Sequence, residues 1–382
     1  MDVRFTPEQE VLRKTLADFV RKEVPREKDR AYDQSPDYPY DLFQKLADLG
    51  MVGIYIPPQY GGQGMGPVEI ALSMETLTYG SITSTSILMP TSLGTQTILH
   101  GGTEEQKQDW LTQIAAGKVR TSFGLSEPHS GSDAASLKTK AVRDGDYWVI
   151  NGSKMWSSGA DVATHLIVAA RTDPDVAKQR GISCFIVDQN TPGITIRRVS
   201  TLGPKAQGTC QVFYDDVRIP ADRLIGEDAG LNRGWKFLNA SLSLERLQLA
   251  AMTLGLAQRA LDDAIEFVNN REAFGQTVGK FQAIQHMAAD MATRIEAGRA
   301  LTYRAAALME AGEPHDKEVT MAKVFVTETA NKVCLTGIQM MGGYGYSMEF
   351  DLQRYLRRTL VQTIGGGTTQ VLRNVIARHI GL

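Results

Sequence analysis

The sequence predicts an α+β fold in three consecutive blocks: helical, strand-rich, and helical again. Three patterns carry that prediction. Apolar residues recur at three- and four-residue spacing before residue 121, β-branched runs cut by tight turns fill the middle, and long apolar stripes with short links follow Trp235. At about 150 residues per domain, a chain of 382 residues is expected to form two to three domains. The boundaries read as 1–121, 122–233 and 234–382.

The first block opens on Thr6-Pro7-Glu8-Gln9. Thr6 is placed to accept from a free backbone N–H, Pro7 needs no donor at the first helical position, and Gln9 completes a capping box. Val11, Leu12, Thr15, Leu16, Phe19 and Val20 then share one face. A second helix is expected from about Tyr40 to Leu49, with Gly50 ending it, and Pro57–Gly62 reads as a loop. Thr103-Glu104-Glu105-Gln106 repeats the capping box ahead of Trp110, Leu111 and Ile114, and Gly117 stops that helix.

The character changes near Thr121. Strands are expected at Tyr147–Ile150, His165–Ala170, Ile182–Val187, Ile194–Val199 and Gln211–Ile219, separated by Gly, Pro, Asn and Asp. That spacing predicts an antiparallel sheet or barrel, with Pro220 and Gly226–Gly234 as its exit. In the last block, helices are expected over about Trp235–Asn270, Phe281–Gly312 and Lys317–Met341, the third stopped by Gly342-Gly343. The segment Arg354–Arg373 is interrupted by Gly365-Gly366-Gly367. Long apolar-striped helices with short links imply a bundle.

Composition removes several functions. Lys and Arg number 41 against 43 Asp and Glu, so the net charge of −2 disfavours a globally basic nucleic-acid binder. Cys184, Cys210 and Cys334 form no disulfide framework and no CxxC pair, which fits a reducing cytoplasm. The six histidines show no HxxxH or HExxH spacing, so no metal site is expected. The opening MDVRFTPEQE has acids and no apolar core and is not expected to be a secretory signal. No run of about 18 apolar residues predicts a membrane span.

Five segments, in order, carry a resemblance. They are Leu125-Ser126-Glu127-Pro128-His129-Ser130-Gly131-Ser132-Asp133, Asn151-Gly152-Ser153-Lys154-Met155-Trp156, Arg271-Glu272-Ala273-Phe274-Gly275, Gln339-Met340-Met341-Gly342-Gly343 and Gly367-Thr368-Thr369-Gln370. Together they resemble the acyl-coenzyme A dehydrogenase family over nearly the whole chain. The resemblance implies a helical N-terminal domain, a central β-barrel domain and a C-terminal four-helix bundle. It also implies FAD as cofactor, an acyl-CoA substrate, an electron-transferring flavoprotein as partner, a homotetramer, and a role in fatty acid or amino acid catabolism.

The chemistry so implied needs a base for the weakly acidic α-proton of a thioester, donors for the developing enolate oxygen, and a flavin to accept the β-hydride at N5. By resemblance, Phe123, Leu125, Ser126, Gly131 and Ser132 approach the flavin ring, and Trp156 and Ser158 match a Trp-x-Thr pair that covers it. Serine keeps the hydroxyl there and loses a methyl. Arg271 resembles an arginine that reaches the FAD pyrophosphate of a neighbouring subunit, where its fork suits paired phosphates. Phe274, Gln282, Gln339, Gly342, Gly343, Thr368 and Gln370 match further FAD contacts. Ser132, Leu244, Arg246 and Gly367 match the substrate side. His129 replaces a small residue and has no assigned role. Taken singly, Ser126 and Ser158 read as turn caps, Trp156 as core packing, Arg271 as a solvated helix end and Gly342-Gly343 as a helix terminator.

In one respect the chain departs from the common family pattern. Many members carry the base as Glu in Glu-Gly-Thr, whereas this chain reads Gly366-Gly367-Thr368. Glycine takes no proton, but the amide of Gly366 remains to polarise a thioester carbonyl. A subgroup resembling isovaleryl- and long-chain acyl-CoA dehydrogenases places the base in a Leu-Glu-Arg sequence on the first bundle helix. Leu244-Glu245-Arg246 matches it, and Glu245 is the expected base, with a raised pKa. Alone, a Glu before an Arg on a helix is usually a solvated pair. Arg246 either orients Glu245 or lines the site. The bare Gly366 is expected to open room for a branched or ring-bearing acyl group. Three other readings stay open: a 2-enoyl thioester reductase on the same residues, a relative with other chemistry such as desulfination, and a non-catalytic flavoprotein module.

Overall fold

The computed structural model describes residues 5–382. Helices α1 (Pro7–Glu23), α2 (Arg26–Gln34), α3 (Tyr40–Asp48), α4 (Pro67–Gly80), α5 (Ile82–Gly101) and α6 (Glu104–Ala115) come first. Strands β1 (Thr121–Gly124), β2 (Lys140–Asp144), β3 (Tyr147–Ser158), β4 (His165–Arg171), β5 (Ile182–Asp188), β6 (Ile194–Arg198) and β7 (Thr209–Pro220) follow. After the short α7 (Glu227–Gly230) comes the 37-residue α8 (Gly234–Asn270). A small hairpin, β8 (Glu272–Ala273) and β9 (Gln276–Thr277), leads to α9 (Gln282–Glu310) and α10 (Asp316–Met341). The chain closes with α11 (Gly343–Tyr346), α12 (Leu352–Gln362) and α13 (Thr369–His379).

Two compact units result. One comprises the segment up to Asp33, Gly66–Thr85 and Ser243–Leu382; the other comprises Gln34–Met65 and Ser86–Leu242. The capping boxes form as expected. Thr6 Oγ1 accepts from the Gln9 amide at 3.3 Å while Gln9 returns a bond to the Thr6 amide at 3.0 Å, and Thr103 and Gln106 repeat the pair. Each such cap is worth about 1 kcal/mol.

In the first unit, a buried apolar cluster joins α8, α9, α10 and α12 through Leu254, Leu261, Met291, Ile295, Val326 and Leu352. Asp29 on α2 is buried and sits at the amino end of α5. It accepts from Ser81 Oγ at 2.7 Å, from the Thr83 amide at 3.1 Å and from the Ile82 amide at 3.3 Å, and it pairs with Arg354 of α12. A carboxylate at a helix amino end is favoured by about 0.3–2 kcal/mol. Arg30 grips Asp351 with two bonds, at 2.8 and 2.9 Å.

In the second unit, one curled seven-stranded sheet runs β1-β4-β2-β3-β7-β6, with β5 on β4. Trp148, Ile150, Val168, Phe185, Val212 and Val217 fill its core. The expected antiparallel sheet is corrected in part. β1 lies parallel to β4, with Thr121 opposite His165, and β2 meets β4 in parallel at Lys140 and Arg171. The remaining pairs are antiparallel. The strands β1 and β2 and the helices α2, α4 and α5 are additions to the elements foreseen. Helix α5, ITSTSILMPTSLGTQTILHG, is rich in Ser and Thr and contains Pro90, and most of its residues are buried, so it displays no amphipathic stripe.

Candidate functional site

Two constellations emerge, one in each unit. In the second unit the loop after β1 and the far end of β3 are tied together by a buried ion pair. Lys154 Nζ, fully buried, lies 2.8 Å from Glu127 Oε1 and donates to the Leu125 carbonyl at 3.2 Å. The Glu127 carboxylate also accepts from the amides of Lys138 and Thr139, at 2.7 and 2.9 Å. Burial alone would raise this carboxyl. The Lys154 charge and these donors overcome it and hold Glu127 down to about 2. His129 Nε2 stands 3.3 Å from Glu127 Oε2, which gives that residue a partner.

The Met155 amide donates to the Ser126 carbonyl at 2.8 Å. There the β3–β7 ladder breaks register between Lys154 and Ser157. Trp156 sits in that bulge with φ +64° and is 56% exposed. A bulky residue in left-handed backbone, presenting its ring outward, marks a functional position more often than a packing one. The core-packing alternative is therefore not what the backbone builds. Among the described residues, no hydrogen bond engages the hydroxyls of Ser126, Ser132 or Ser158, so none acts as a turn cap. Phe123 lies on β1, and Gly131 is exposed with open space around it.

The first unit holds the second constellation. Glu245 on α8 is half-buried, as is Leu244, and no described residue hydrogen-bonds the Glu245 carboxylate. Burial raises its pKa, while the charges of Arg246 and Lys323 pull the other way. It is not a solvated surface pair with Arg246. Arg246 is buried and donates to Asp316 Oδ1 at 3.0 Å, and its Nε has no partner. Ser243 Oγ donates to the same Asp316 oxygen at 3.1 Å, and His379 Nε2 stands 3.2 Å from the other.

The glycine loop follows. Gly366 and Gly367 have φ +64° and +92°, and their amides donate to no described residue. Lys323 of α10, 0% exposed, donates to the Gly367 carbonyl at 2.7 Å. A Cβ on Gly366 would lie 2.5 Å from Leu249 Cδ1, one turn beyond Glu245. A side chain at Gly366 would therefore meet the flexible end of Leu249 first.

Thr368 caps α13, accepting from the Val371 amide at 3.2 Å, and Gln370 is exposed in its first turn. Arg271 is exposed, with its guanidinium 5.4 Å from the Tyr344 ring centre. Phe274 and Gly275, both at positive φ, form the two-residue turn between β8 and β9, and Phe274 is 95% exposed. Gln282 starts α9 and Gln339 lies in the last turn of α10. Gly342, at φ +60°, ends α10, so the terminator role is real there, and Gly343 begins α11.

Glu127 and Lys154 stood inside the quoted segments without an assigned role, and Lys323, Leu249 and Asp316 had none either. Of the last three, Lys323 carries a local signal, a lone cation between Met321-Ala322 and Val324-Phe325-Val326. Among the described residues, no group of three or more His, Cys, Asp or Glu is placed to hold a metal ion. No helix among them is long and apolar enough to cross a membrane.

Comparison with known proteins bears on the whole chain. Three family descriptions match: acyl-CoA dehydrogenase N-terminal domain over residues 6–118, middle domain over 122–217 and C-terminal domain over 232–381. A probable acyl-CoA dehydrogenase of Bacillus subtilis is 38% identical, covering 100% of both chains. A caffeyl-CoA reductase-Etf complex subunit of Acetobacterium woodii is 36% identical, over 98% of each. The mitochondrial isovaleryl-CoA dehydrogenase of Pongo abelii is 36% identical, over 97% of this chain and 88% of its own. Among solved structures, butyryl-CoA dehydrogenase from Megasphaera elsdenii superposes with a TM-score of 0.94 at 32% identity, covering 100% of both chains. PigA with FAD and proline gives 0.94 at 26% identity, again covering 100% of both. With all three domains matched in order along one chain, this protein belongs to the acyl-CoA dehydrogenase family.

Proposed function

We propose that the chain is an FAD-dependent dehydrogenase that forms a double bond between the α- and β-carbons of an acyl-CoA thioester, with Glu245 as the base. The observation that carries this reading is a half-buried carboxylate, bonded to no described residue and held above its ordinary range, directly before the buried run Arg246 to Ala250 of α8. A base that works near neutrality needs that shift.

The residues fit a flavin. An exposed Trp156 stands on a bulge bonded to the Ser126 loop, and three serine hydroxyls in that unit are uncommitted. In this reading Phe123, Leu125, Ser126, Gly131, Ser132, Trp156 and Ser158 hold the ring. Arg271, Phe274, Gln282, Gln339, Gly342, Gly343, Thr368 and Gln370 serve the rest of FAD, in a surface completed by a second copy within a homotetramer. Bound FAD supplies the hydride acceptor at N5.

Glu245 takes the α-proton. The uncommitted Gly366 amide donates to the thioester carbonyl as negative charge builds on its oxygen, and the cations Arg246 and Lys323 lower the cost of that charge. Ser132, Leu244 and Gly367 complete the acyl side. Leu249 sets the bulk tolerated next to Gly366, so branched acyl groups fit to the extent that Leu249 yields. Electrons then pass to an electron-transferring flavoprotein, a pairing supported by the Etf-complex relative. The free, buried cysteines suit the cytoplasm.

The test is anaerobic mixing with straight and branched acyl-CoA thioesters. The yellow flavin band should bleach with the parent chain. In Glu245→Gln it should persist at unchanged flavin content. Bleaching at the parental rate in Glu245→Gln would remove Glu245 as the base. The relative named as a reductase gives a second reading, the same residues run towards a saturated thioester. Mixing the reduced protein with 2-enoyl thioesters tests it.

A further inference from the structure

Lys323 is a buried cation whose hydrogen bond to the glycine loop has no task in the proposed chemistry. Its ammonium donates to the Gly367 carbonyl at 2.7 Å, and the whole residue is 0% exposed. The loop it touches is unusual in composition. Three glycines in a row have the widest backbone freedom of any tripeptide, so ordering them is entropically costly. Backbone bonds pin the ends of the loop: the Gly365 amide donates to the Val361 carbonyl at 2.9 Å, and the Thr369 amide to the Thr363 carbonyl at 3.1 Å. Between those ends Lys323 is the polar side chain that holds it. The charged groups facing Lys323 are Glu245 and Arg246 from α8 and Glu328 from its own helix. Of these, Glu245 is the anion on the neighbouring helix.

We infer that Lys323 is a positioning residue for thioester activation: one ammonium fixes the glycine loop by its bond to the Gly367 carbonyl and, with Arg246, is a cation beside Glu245. The inference rests on Glu245 being the base. Two physical effects follow from the one group. A fixed Gly367 carbonyl fixes the adjoining peptides, so the Gly366 amide is already oriented when the thioester arrives and no reorganisation is needed in the reaction. A cation beside Glu245 favours its ionised form, which opposes burial and sets the pH above which the base is available. Burial pushes Lys323 itself down to about 8, with Glu245 opposing the fall, so the cation persists through neutral pH. Arg246 is the other cation beside Glu245, but its hydrogen bonds go to Asp316 and Thr320, and Lys323 alone of the two also holds the glycine loop.

The experiment uses the FAD-loaded full chain and its Lys323→Met, Lys323→Gln, Lys323→Arg and Glu245→Gln variants. It reads flavin content, the rate of flavin reduction at saturating acyl-CoA, and the pH dependence of that rate. In Lys323→Met the limiting rate should fall by about tenfold or more at unchanged flavin content. The acidic limb of its pH profile should also move to higher pH. Lys323→Arg should keep the acidic limb in its parental place, because the charge is retained. An acidic limb in Lys323→Met that coincides with that of the parent overturns the inference. If Lys323→Met yields no folded flavoprotein, Lys323→Gln takes its place: it can still donate to Gly367 but carries no charge, and the same limb decides. Glu245→Gln separates the two claims. Full activity in that variant defeats the base assignment, whereas an inactive Glu245→Gln beside a silent Lys323→Met defeats the positioning role alone.

Discussion

Leu249 closes over Gly366: its Cδ1 lies 2.5 Å from where a Cβ on that glycine would stand, and Gly366 holds φ +64°. A side chain there would sit in strained backbone and would also have to displace the flexible end of Leu249. Gly366→Ala should destabilise the protein by about 1–3 kcal/mol, from left-handed backbone plus overpacking, as measured by urea unfolding. Gly366→Glu in a Glu245→Gln background should not restore flavin reduction unless Leu249→Ala accompanies it. Leu249→Ala alone should raise kcat/KM for the bulkiest branched thioesters relative to straight ones.

Glu245 should trade stability for chemistry. Its carboxyl is raised in the folded chain, so protonation favours the folded state. That contribution is full below the unfolded carboxylate pKa and is lost as pH rises through the folded value. Glu245→Gln should therefore raise the Tm at pH 7–8, and the difference should vanish near pH 4. A Tm lower than the parent's at pH 8 would contradict the raised pKa.

Glu127, paired with Lys154, has the opposite sign. Glu127 is held at about 2, so its stabilisation is present above the unfolded value of about 4.5 and disappears as pH falls towards 2. Lys154→Met leaves a buried carboxylate without its cation and should cost about 3–5 kcal/mol at neutral pH. The double variant Glu127→Gln with Lys154→Met should recover part of that loss. A denaturant series on the four proteins measures the coupling.

Trp156 lies in left-handed backbone, which costs a non-glycine residue about 1–2 kcal/mol. Trp156→Gly should stabilise the flavin-free protein by about 1 kcal/mol while weakening FAD retention. Unfolding of the flavin-free protein and fluorescence titration with FAD read the two effects separately. A change in stability with unaltered flavin affinity would remove Trp156 from the flavin site.

What could be read from sequence was local. Thr6 with Gln9, Thr103 with Gln106, and the stop at Gly342 are adjacent in the chain, and their helix ends formed where expected. The strands from β3 to β7 announce themselves as β-rich runs bounded by turns. Helix α5 did not, because a helix buried on most sides has no apolar stripe to find. The parallel pairing of β1 with β4 is invisible for another reason: nothing in Thr121–Gly124 says which strand it will meet. The candidate site divides in the same way. Glu245 was legible as a sequence match. Lys154 against Glu127, and Lys323 against Gly367, join positions 27 and 44 residues apart, and only the folded chain brings them together.

The salt links of Asp29 and Arg30 reach partners 325 and 321 residues further on. The unit that contains them is assembled from both ends of the chain, whereas the sheet unit is finished by Leu242. During synthesis, α2 and its buried carboxylate must therefore wait on the ribosome until the last helices emerge. A chaperone that shields α2 would have most of one translation time in which to act, and truncation between α10 and Arg354 should leave Asp29 without its cation and the nascent protein a target for degradation.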